Sequence, residues 1–311
     1  MDTRKYLENY IMQAKKIDTH CHHMYKKFDH AIGLQDIFKN SYIDWCGEKF
    51  DTFEERESLF KNLKNRSYFI WLSRALQEIY KLPASLSNDN FAEYDTRVKD
   101  AFQQDTDFSR LKNLCHYEHI VEDCYWEYGD NLGDSELFTP TFRTNIFLNG
   151  FDFDFIDRDN YSIRRFFGEK PNDIDKYIEE MKNIIKTKIN GGCVALKCAI
   201  AYERGLNFYK TTKDNANEIL IKSKENWTKK NIDDFQSYVF YKLCEIASEF
   251  DVPFQIHTGL GQIDKTNAIN LNEVIKDNPT TKFVLFHLSF PHFEDVVALA
   301  HNYANVYPDV C

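Results

Sequence analysis

Hydrophobic positions along the chain form short continuous runs that alternate with stretches of helical spacing. This pattern predicts short strands separated by helices. The apolar runs at 193–197, 252–257 and 283–287 are nearly continuous, as is typical of buried parallel strands. Between them, residues 174–189 and 233–250 carry apolar side chains at helical spacing. Strands that alternate with helices form parallel sheets with crossover connections. The pattern therefore predicts an α/β fold.

A long helical stretch separates the first predicted strand from the second. Its apolar positions recur at helical spacing within residues 59–63, 68–80, 92–102 and 108–115. A connection of roughly 80 residues is far longer than a usual βα loop. We therefore predict three segments: an N-terminal helix with the first barrel strand (1–27), a helical insertion or lid (28–115), and strands two to seven (116–311). Added bulk at the mouth of a barrel is the alternative interpretation of the insertion.

Four of the predicted strands end in side chains that can bind a metal or carry a charge. The first ends in His20 and His22, and alternate residues of a strand share a face, so both imidazoles can hold one cation. Three later strands end at Lys197, His257 and His287. In a (β/α)8 barrel the carboxyl ends of the strands form the face that carries the active site. The pattern therefore predicts a TIM-like (β/α)8 barrel with a metal site on that face.

Each of these residues also has a plainer interpretation. A His-x-His pair could line a polar loop, and a single strand-end histidine could be a hydrogen-bonded core residue. Lys197 ends a buried strand, so it needs a carboxylate partner or a modification that removes its positive charge. Reaction with carbon dioxide would give a carbamate that can bridge two cations, whereas a salt-bridged lysine at the barrel rim is the alternative. The combination of four strand ends favours the metal site.

Composition excludes several classes of function. The formal net charge of −10 argues against a nucleic-acid or anionic-membrane binder, because such surfaces need excess Lys and Arg. No apolar run of about 18 residues is present, and residues 1–16 lack the apolar core of a signal peptide. The eight cysteines are scattered without a Cys-x-x-Cys pair, which indicates reduced thiols. We expect a cytoplasmic protein that binds a small-molecule substrate, no nucleic acid and no membrane, with a homo-oligomer left open.

The set of strand-end residues resembles the amidohydrolase superfamily of metal-dependent (β/α)8 barrels. Segments 195–206, 253–261, 285–291 and 305–309 are similar to the amidohydrolase-like half of nodulin/glutamine-synthetase-like fusion proteins. The likeness covers nearly the whole chain except the helical insertion.

The resemblance implies a metal-dependent hydrolase that acts on carbon–nitrogen bonds other than peptide bonds in a small carboxylate-bearing substrate. One or two divalent cations, expected to be zinc, would be held by His20, His22, Lys197, His257 and His287. The last three of these are also predicted to be catalytic. Tyr202 and Arg204, in the loop after the fourth strand, are predicted to hold the substrate carboxylate, because arginine offers a bidentate fork. A solvated loop is the alternative for these two.

The family also places an aspartate at the end of the eighth strand, where it takes a proton from the attacking water. Here the seventh strand is predicted to begin near Val306 and the sequence stops at Cys311, and the resemblance assigns Asp309 to the seventh strand. The sequence therefore predicts a barrel shortened at its C-terminus, with this base missing or supplied by another segment or subunit. A non-catalytic metal-binding barrel is thus one alternative function.

An isomerase resembling uronate isomerase, a relative with a helical insertion after its first strand, is the other alternative. Lys197 argues against it, because that branch does not use a bridging lysine. Among the remaining polar residues, we expect Asp18 to orient its neighbours and His292 to cap the helix beside it.

Overall fold

The computed structural model describes residues 2–23, 30–43, 47, 49–104 and 108–311. The predicted segment boundary at residue 27 and Cys46 lie outside these residues. Contacts divide the chain into two compact units, one comprising residues 1–15 with 24–117 and the other residues 16–23 with 118–311. We call them the helical unit and the barrel unit. The three sequence segments predicted above stay a prediction.

The described residues of the helical unit form five α-helices with a core of their own. The helices are α1 (Thr3–Gln13), α2 (Leu34–Lys39), α3 (Phe53–Leu63), α4 (Ser67–Tyr80) and α5 (Phe91–Gln104), followed by a π-helical turn at Arg110–Leu114. A capping box between Thr52 and Glu55 begins α3. Phe38, Leu63 and Tyr94 are fully buried in the core. Apolar spacing in this stretch thus produces a packed helical unit.

The barrel unit is built on a seven-stranded sheet whose strands follow one another in sequence order. The strands are β1 (Lys16–Cys21), β2 (Tyr117–Glu122), β3 (Phe138–Arg143), β4 (Ala195–Cys198), β5 (Phe254–His257), β6 (Phe283–Phe286) and β7 (Val306–Pro308). Every ladder from β2 to β7 is parallel. The predicted TIM-like barrel architecture, with a helical insertion after its first strand, is confirmed.

Helices follow the strands and cover the sheet with apolar faces. They are α6 (Asn145–Leu148), α7 (Ile174–Asn190), α8 (Lys213–Ile221), α9 (Lys229–Glu249), α10 (Asn272–Asp277) and α11 (Phe293–Asn302). Helix α9 is begun by a capping box at Thr228 and buries Phe235, Val239 and Leu243 completely. In the described part of the chain, no helix combines the length and apolar character needed to cross a membrane.

The parallel register brings the carboxyl ends of neighbouring strands to one edge of the sheet. Arg143 on β3 is opposite Lys197 on β4, and His257 on β5 is opposite Phe286 on β6. β3 ends at Arg143, and the apolar residues that follow it form α6. One element differs from the sequence pattern. His287 does not end β6 but begins a turn of three residues with positive φ.

Candidate metal centre

The end of β1 presents two histidines to the barrel unit. A carboxylate oxygen of Asp18 accepts a hydrogen bond from the backbone N–H of His20 (3.1 Å), so Asp18 orients this strand end as expected. The His22 Nδ1 donates to the backbone carbonyl of Asp123 over 2.7 Å. Because that nitrogen carries the hydrogen, the lone pair of neutral His22 is on Nε2. Metal-ligating histidines commonly have this arrangement, with one nitrogen tied to a carbonyl and the other free.

Asp123, the residue directly after β2, lies beside the two histidines. Ligand atoms of His20, His22 and Asp123 all lie within 4.8 Å of one another. The His20 Nδ1 is buried and has no hydrogen-bond partner among the described residues. Burial lowers the pKa of both imidazoles, and the positive charge of Lys197 contributes. Both rings are therefore neutral at neutral pH, which is the form that binds a metal.

A buried arginine holds Asp123 in place. Arg143, at the end of β3, binds the carboxylate of Asp123 bidentately, with Nε–Oδ1 at 2.8 Å and Nη2–Oδ2 at 2.9 Å. Its Nη1 donates to Asp159 over 2.5 Å. Burial alone would raise the pKa of Asp123, but Arg143 and the other nearby cations hold it well below its usual range. Asp123 is therefore ionised, and its side chain and backbone are fixed together.

Lys197 at the end of β4 is 1% exposed and lies beside the same carboxylate. Its Nζ is 4.0 Å from Asp123 Oδ2 and 3.5 Å from the centroid of the Phe286 ring. That nitrogen has no hydrogen-bond partner among the described residues. Burial lowers the pKa of Lys197 to about 7, although Asp123 opposes the shift. A large fraction of the amine is therefore neutral near pH 7.

His257 and His287 form a second pair, following β5 and β6. Their rings lie 4.4 Å apart, and His287 Nε2 is 3.2 Å from His257 Nδ1. The other nitrogen of each ring faces a carbonyl oxygen, that of Leu260 for His257 Nε2 and that of Cys311 for His287 Nδ1. Burial and His287 lower the pKa of His257 to about 3, and burial lowers the pKa of His287.

The pair formed by His257 and His287 lacks a hydrogen for the contact between its two rings. Carbonyl oxygens only accept, so His257 Nε2 and His287 Nδ1 must both carry hydrogen. Two neutral imidazoles then have no hydrogen left for the contact between the rings, where two lone pairs face each other. A cation would satisfy them. Two nitrogens bound to tetrahedral zinc at about 2.0–2.1 Å lie roughly 3.3 Å apart, close to the separation seen here.

The predicted substrate residues lie in different surroundings. The ring of Tyr202 lies against that of His257, with centroids 4.5 Å apart and planes inclined by 51°. Arg204 instead donates from Nε to the Gly205 carbonyl (3.0 Å) and from Nη1 to Gln236 (2.6 Å). Two of its nitrogens are therefore already bound by the protein, and its role as a substrate ligand stays a prediction.

His292 is the N-cap residue of α11, as expected, and its backbone carbonyl accepts a hydrogen bond from the N–H of Asp295 over 3.2 Å. Its side chain makes no capping hydrogen bond.

Asp123 and Arg143 were not predicted from the sequence to be part of the site. Like the histidines, both residues are polar side chains at the carboxyl end of a strand. Arg143 is the last residue of β3, and Asp123 directly follows β2. A charged residue at a strand end could be seen in the sequence, but such a residue is also common in turns. Only the tertiary arrangement shows that the two charges neutralise each other in the interior.

Comparison with known proteins identifies part of the chain. Residues 221–311 match the family model described as amidohydrolase. We call residues 221–311, which are similar to this family, the amidohydrolase segment. This amidohydrolase segment contains β5, β6 and β7 with His257 and His287, and it confirms the resemblance predicted from the sequence. A curated relative, protein fluG of Emericella nidulans, is 42% identical over 62 residues, which is 19% of this chain and 7% of that protein. The match thus spans only a small part of the relative.

Solved structures show the same fold beyond the amidohydrolase segment. Uronate isomerase from Thermotoga maritima aligns with a TM-score of 0.73 at 16% identity, over 97% of this chain and 77% of that one. A protein described as a metal-dependent hydrolase, from Lactobacillus casei, aligns with a TM-score of 0.65 at 17% identity, over 98% of this chain and 75% of that one. At these identities the similarity establishes the barrel fold.

The residues present fit a divalent cation. The donors are imidazole and carboxylate, which suit zinc and neighbouring metals. The buried, unpartnered Nδ1 of His20 and the facing lone pairs of His257 and His287 are polar atoms that a bound cation would satisfy.

Proposed function

We propose that this chain is a metal-dependent hydrolase of the amidohydrolase type that uses one or two divalent cations, zinc in the first instance. Its substrate would be a small molecule that carries a carboxylate and an amide-like bond. The observation that carries the proposal is the convergence of His20, His22 and Asp123 at the strand ends. The amidohydrolase segment and the metal-dependent hydrolase among the structural neighbours support it.

Each side chain of the site would have a distinct role. His20 and His22 would hold the cation, with Lys197, His257 and His287 as further ligands. A divalent cation supplies Lewis acidity, which polarises a carbonyl and lowers the pKa of a water to about 7. The Asp123 carbonyl keeps His22 in the tautomer that leaves Nε2 free. Arg143 fixes Asp123, and the Lys197 Nζ lies 4.0 Å from the same carboxylate.

Metal content and turnover test the proposal together. The purified chain should retain one or two zinc ions by mass spectrometry, and His22→Ala should lose most of this metal. His301→Ala is the matched control, because His301 is an exposed histidine on α11. A screen of γ-glutamyl amides should show hydrolysis that depends on added metal. If metal binds but no amide is cleaved, the hydrolase is wrong and the non-catalytic metal-binding barrel takes its place.

An isomerase is the second candidate, because a uronate isomerase shares the fold with a TM-score of 0.73. Conversion of D-glucuronate to its ketose by the metal-loaded chain, without amide cleavage, would establish this alternative. The buried Lys197 beside Asp123 favours the hydrolase.

A further inference from the structure

Arg143, Arg158 and Arg204 are three of the arginines at the end of β3 or in the loops that follow β3 and β4. Arg143 is bound by Asp123 and Asp159, and Arg204 donates from Nε to a backbone carbonyl and from Nη1 to Gln236. The third, Arg158, is in the loop after β3 and is exposed.

The guanidinium of Arg158 is supported by an aromatic ring beside the histidines. Its Cζ lies 4.2 Å from the centroid of the Tyr202 ring, and the same ring lies 4.5 Å from that of His257. One aromatic side chain therefore separates Arg158 from the candidate metal centre. Stacking over tyrosine leaves the edge of the guanidinium, which carries its N–H groups, available for an anion.

The acids next to Arg158 in sequence do not neutralise it. Asp157 accepts from the backbone N–H groups of Asp159 (3.0 Å) and Tyr161 (2.7 Å), and from the hydroxyl of Tyr128 (3.0 Å). Asp159 binds Arg143. Both carboxylates thus point into the protein. Within the described residues, Arg158 forms no ion pair with an N–O distance of 4.0 Å or less.

The loop that presents Arg158 is held at several points. Tyr161 stacks on Tyr128 with centroids 3.8 Å apart and planes inclined by 7°. The backbone N–H of Asp157 donates to the carbonyl of Tyr161 over 2.8 Å, which closes the loop. A fixed loop holds the guanidinium before a ligand arrives, so little entropy is lost on binding.

We propose that Arg158, supported by Tyr202, is the specificity-determining residue that binds the carboxylate of the substrate. This inference rests on the proposed function and deepens it. It replaces Arg204 as the carboxylate ligand and keeps Tyr202 in the subsite as the surface on which the arginine lies. In a chain with a net charge of −10, a guanidinium that forms no close ion pair among the described residues favours an anionic substrate over a neutral one.

The test is a titration that needs neither metal nor turnover. Glutarate, a simple dicarboxylate, is titrated into the chelator-treated full chain and followed by NMR, with glutaramide as the neutral probe. Glutarate should bind, glutaramide should not, and Arg158→Met should weaken glutarate binding at least tenfold, with Arg158→Lys in between. Arg165→Met is the matched control, because Arg165 is also exposed and lies 4.2 Å above a tyrosine ring, that of Tyr161.

Failure of this inference is separable from failure of the proposed function. If wild type does not bind glutarate, or Arg158→Met binds it as tightly as wild type does, the subsite is wrong whatever the screen of amides shows. If amides are hydrolysed, Arg158→Met should raise KM for the γ-glutamyl amide with a much smaller change in kcat. An unchanged KM would also overturn the inference.

Discussion

At the scale of single residues, the pair formed by Arg143 and Asp123 is important for stability as well as for the site. Replacing Arg143 by Met would leave the Asp123 carboxylate buried and unpaired, which costs roughly 3–5 kcal/mol of unfolding free energy. Arg164→Met removes the partner of the exposed Asp154 and should cost much less, because an exposed ion pair contributes little to stability. Urea denaturation of both variants measures the difference. Equal losses would show that the Arg143 pair is no more desolvated than a surface pair.

Lys197 makes stability depend on pH. Burial lowers its pKa to about 7 in the folded chain, against about 10.4 for a solvated lysine. Between these values the unfolded chain holds a proton that the folded chain has released, so stability rises with pH. Without metal, wild type should gain up to about 1.4 kcal/mol per pH unit from pH 7 to 9 relative to Lys197→Met. Urea denaturation at pH 7, 8 and 9 with chelator checks this.

The control for that series is Lys182→Met, which removes an exposed lysine paired with Glu249. Its profile should run parallel to that of wild type. A Lys197→Met profile that is also parallel would mean that the ammonium is as well solvated in the folded chain as in the unfolded one.

The strand-end histidines and Lys197 could be predicted because residue type and position along a strand are local properties. The hydrogen bond between Arg204 and Gln236 could not be predicted, because Gln236 comes from a different element. The same holds for Arg158, whose support is a ring 44 positions further along the chain. Charge alone does not distinguish an arginine that is available to a ligand from one already bound by the protein.

At the scale of elements, two loops after neighbouring strands are packed against each other at Gly259. Its φ is +72°, and a Cβ there would lie 2.3 Å from the Phe290 carbonyl oxygen and 2.4 Å from the carbonyl carbon of Ser289. Gly192 is the matched control, since its φ is +107° but an added Cβ meets no described atom within 4 Å. Gly192→Ala should cost about 1–3 kcal/mol from backbone strain.

Gly259→Ala should cost a further 1–3 kcal/mol or so, because overpacking adds to the strain. It should also weaken zinc binding, since the displaced turn carries His287 and the mutated loop follows His257. Thermal denaturation and zinc titration measure the two effects. Zinc affinity that is unchanged in Gly259→Ala would show that these loops do not position the pair of histidines.

Most helices and strands could be predicted from the sequence, because their periodicity is uninterrupted from cap to cap. Apolar residues continue past the end of β3 at Arg143 into the buried helical turn α6, so the end of this strand could not be predicted from the pattern alone. Periodicity does not separate a short buried strand from a short buried helix. The left-handed turn at His287 could not be predicted either, because it contains no glycine and depends on packing around it.

At the scale of the whole molecule, the two compact units have separate hydrophobic cores, and each should respond to its own mutations. Phe38 is fully buried in the core of the helical unit, and Phe235 in that of the barrel unit. Replacing either by Ala should cost about 3–5 kcal/mol, because each leaves a cavity. Hydrogen–deuterium exchange then distinguishes units that unfold independently from a single cooperative structure.

Phe38→Ala should accelerate exchange in α3, α4 and α5 and leave β4, β5 and β6 protected, whereas Phe235→Ala should do the reverse. The reason is that a cavity lowers the free energy of opening only for the residues that unfold together with it. Retained protection of the barrel strands in Phe38→Ala would also make zinc binding by that variant a direct test, since all proposed ligands are in the barrel unit. Faster exchange throughout the chain in both variants would show instead that the helical and barrel units fold as one, and that their separate cores do not act as separate cooperative units.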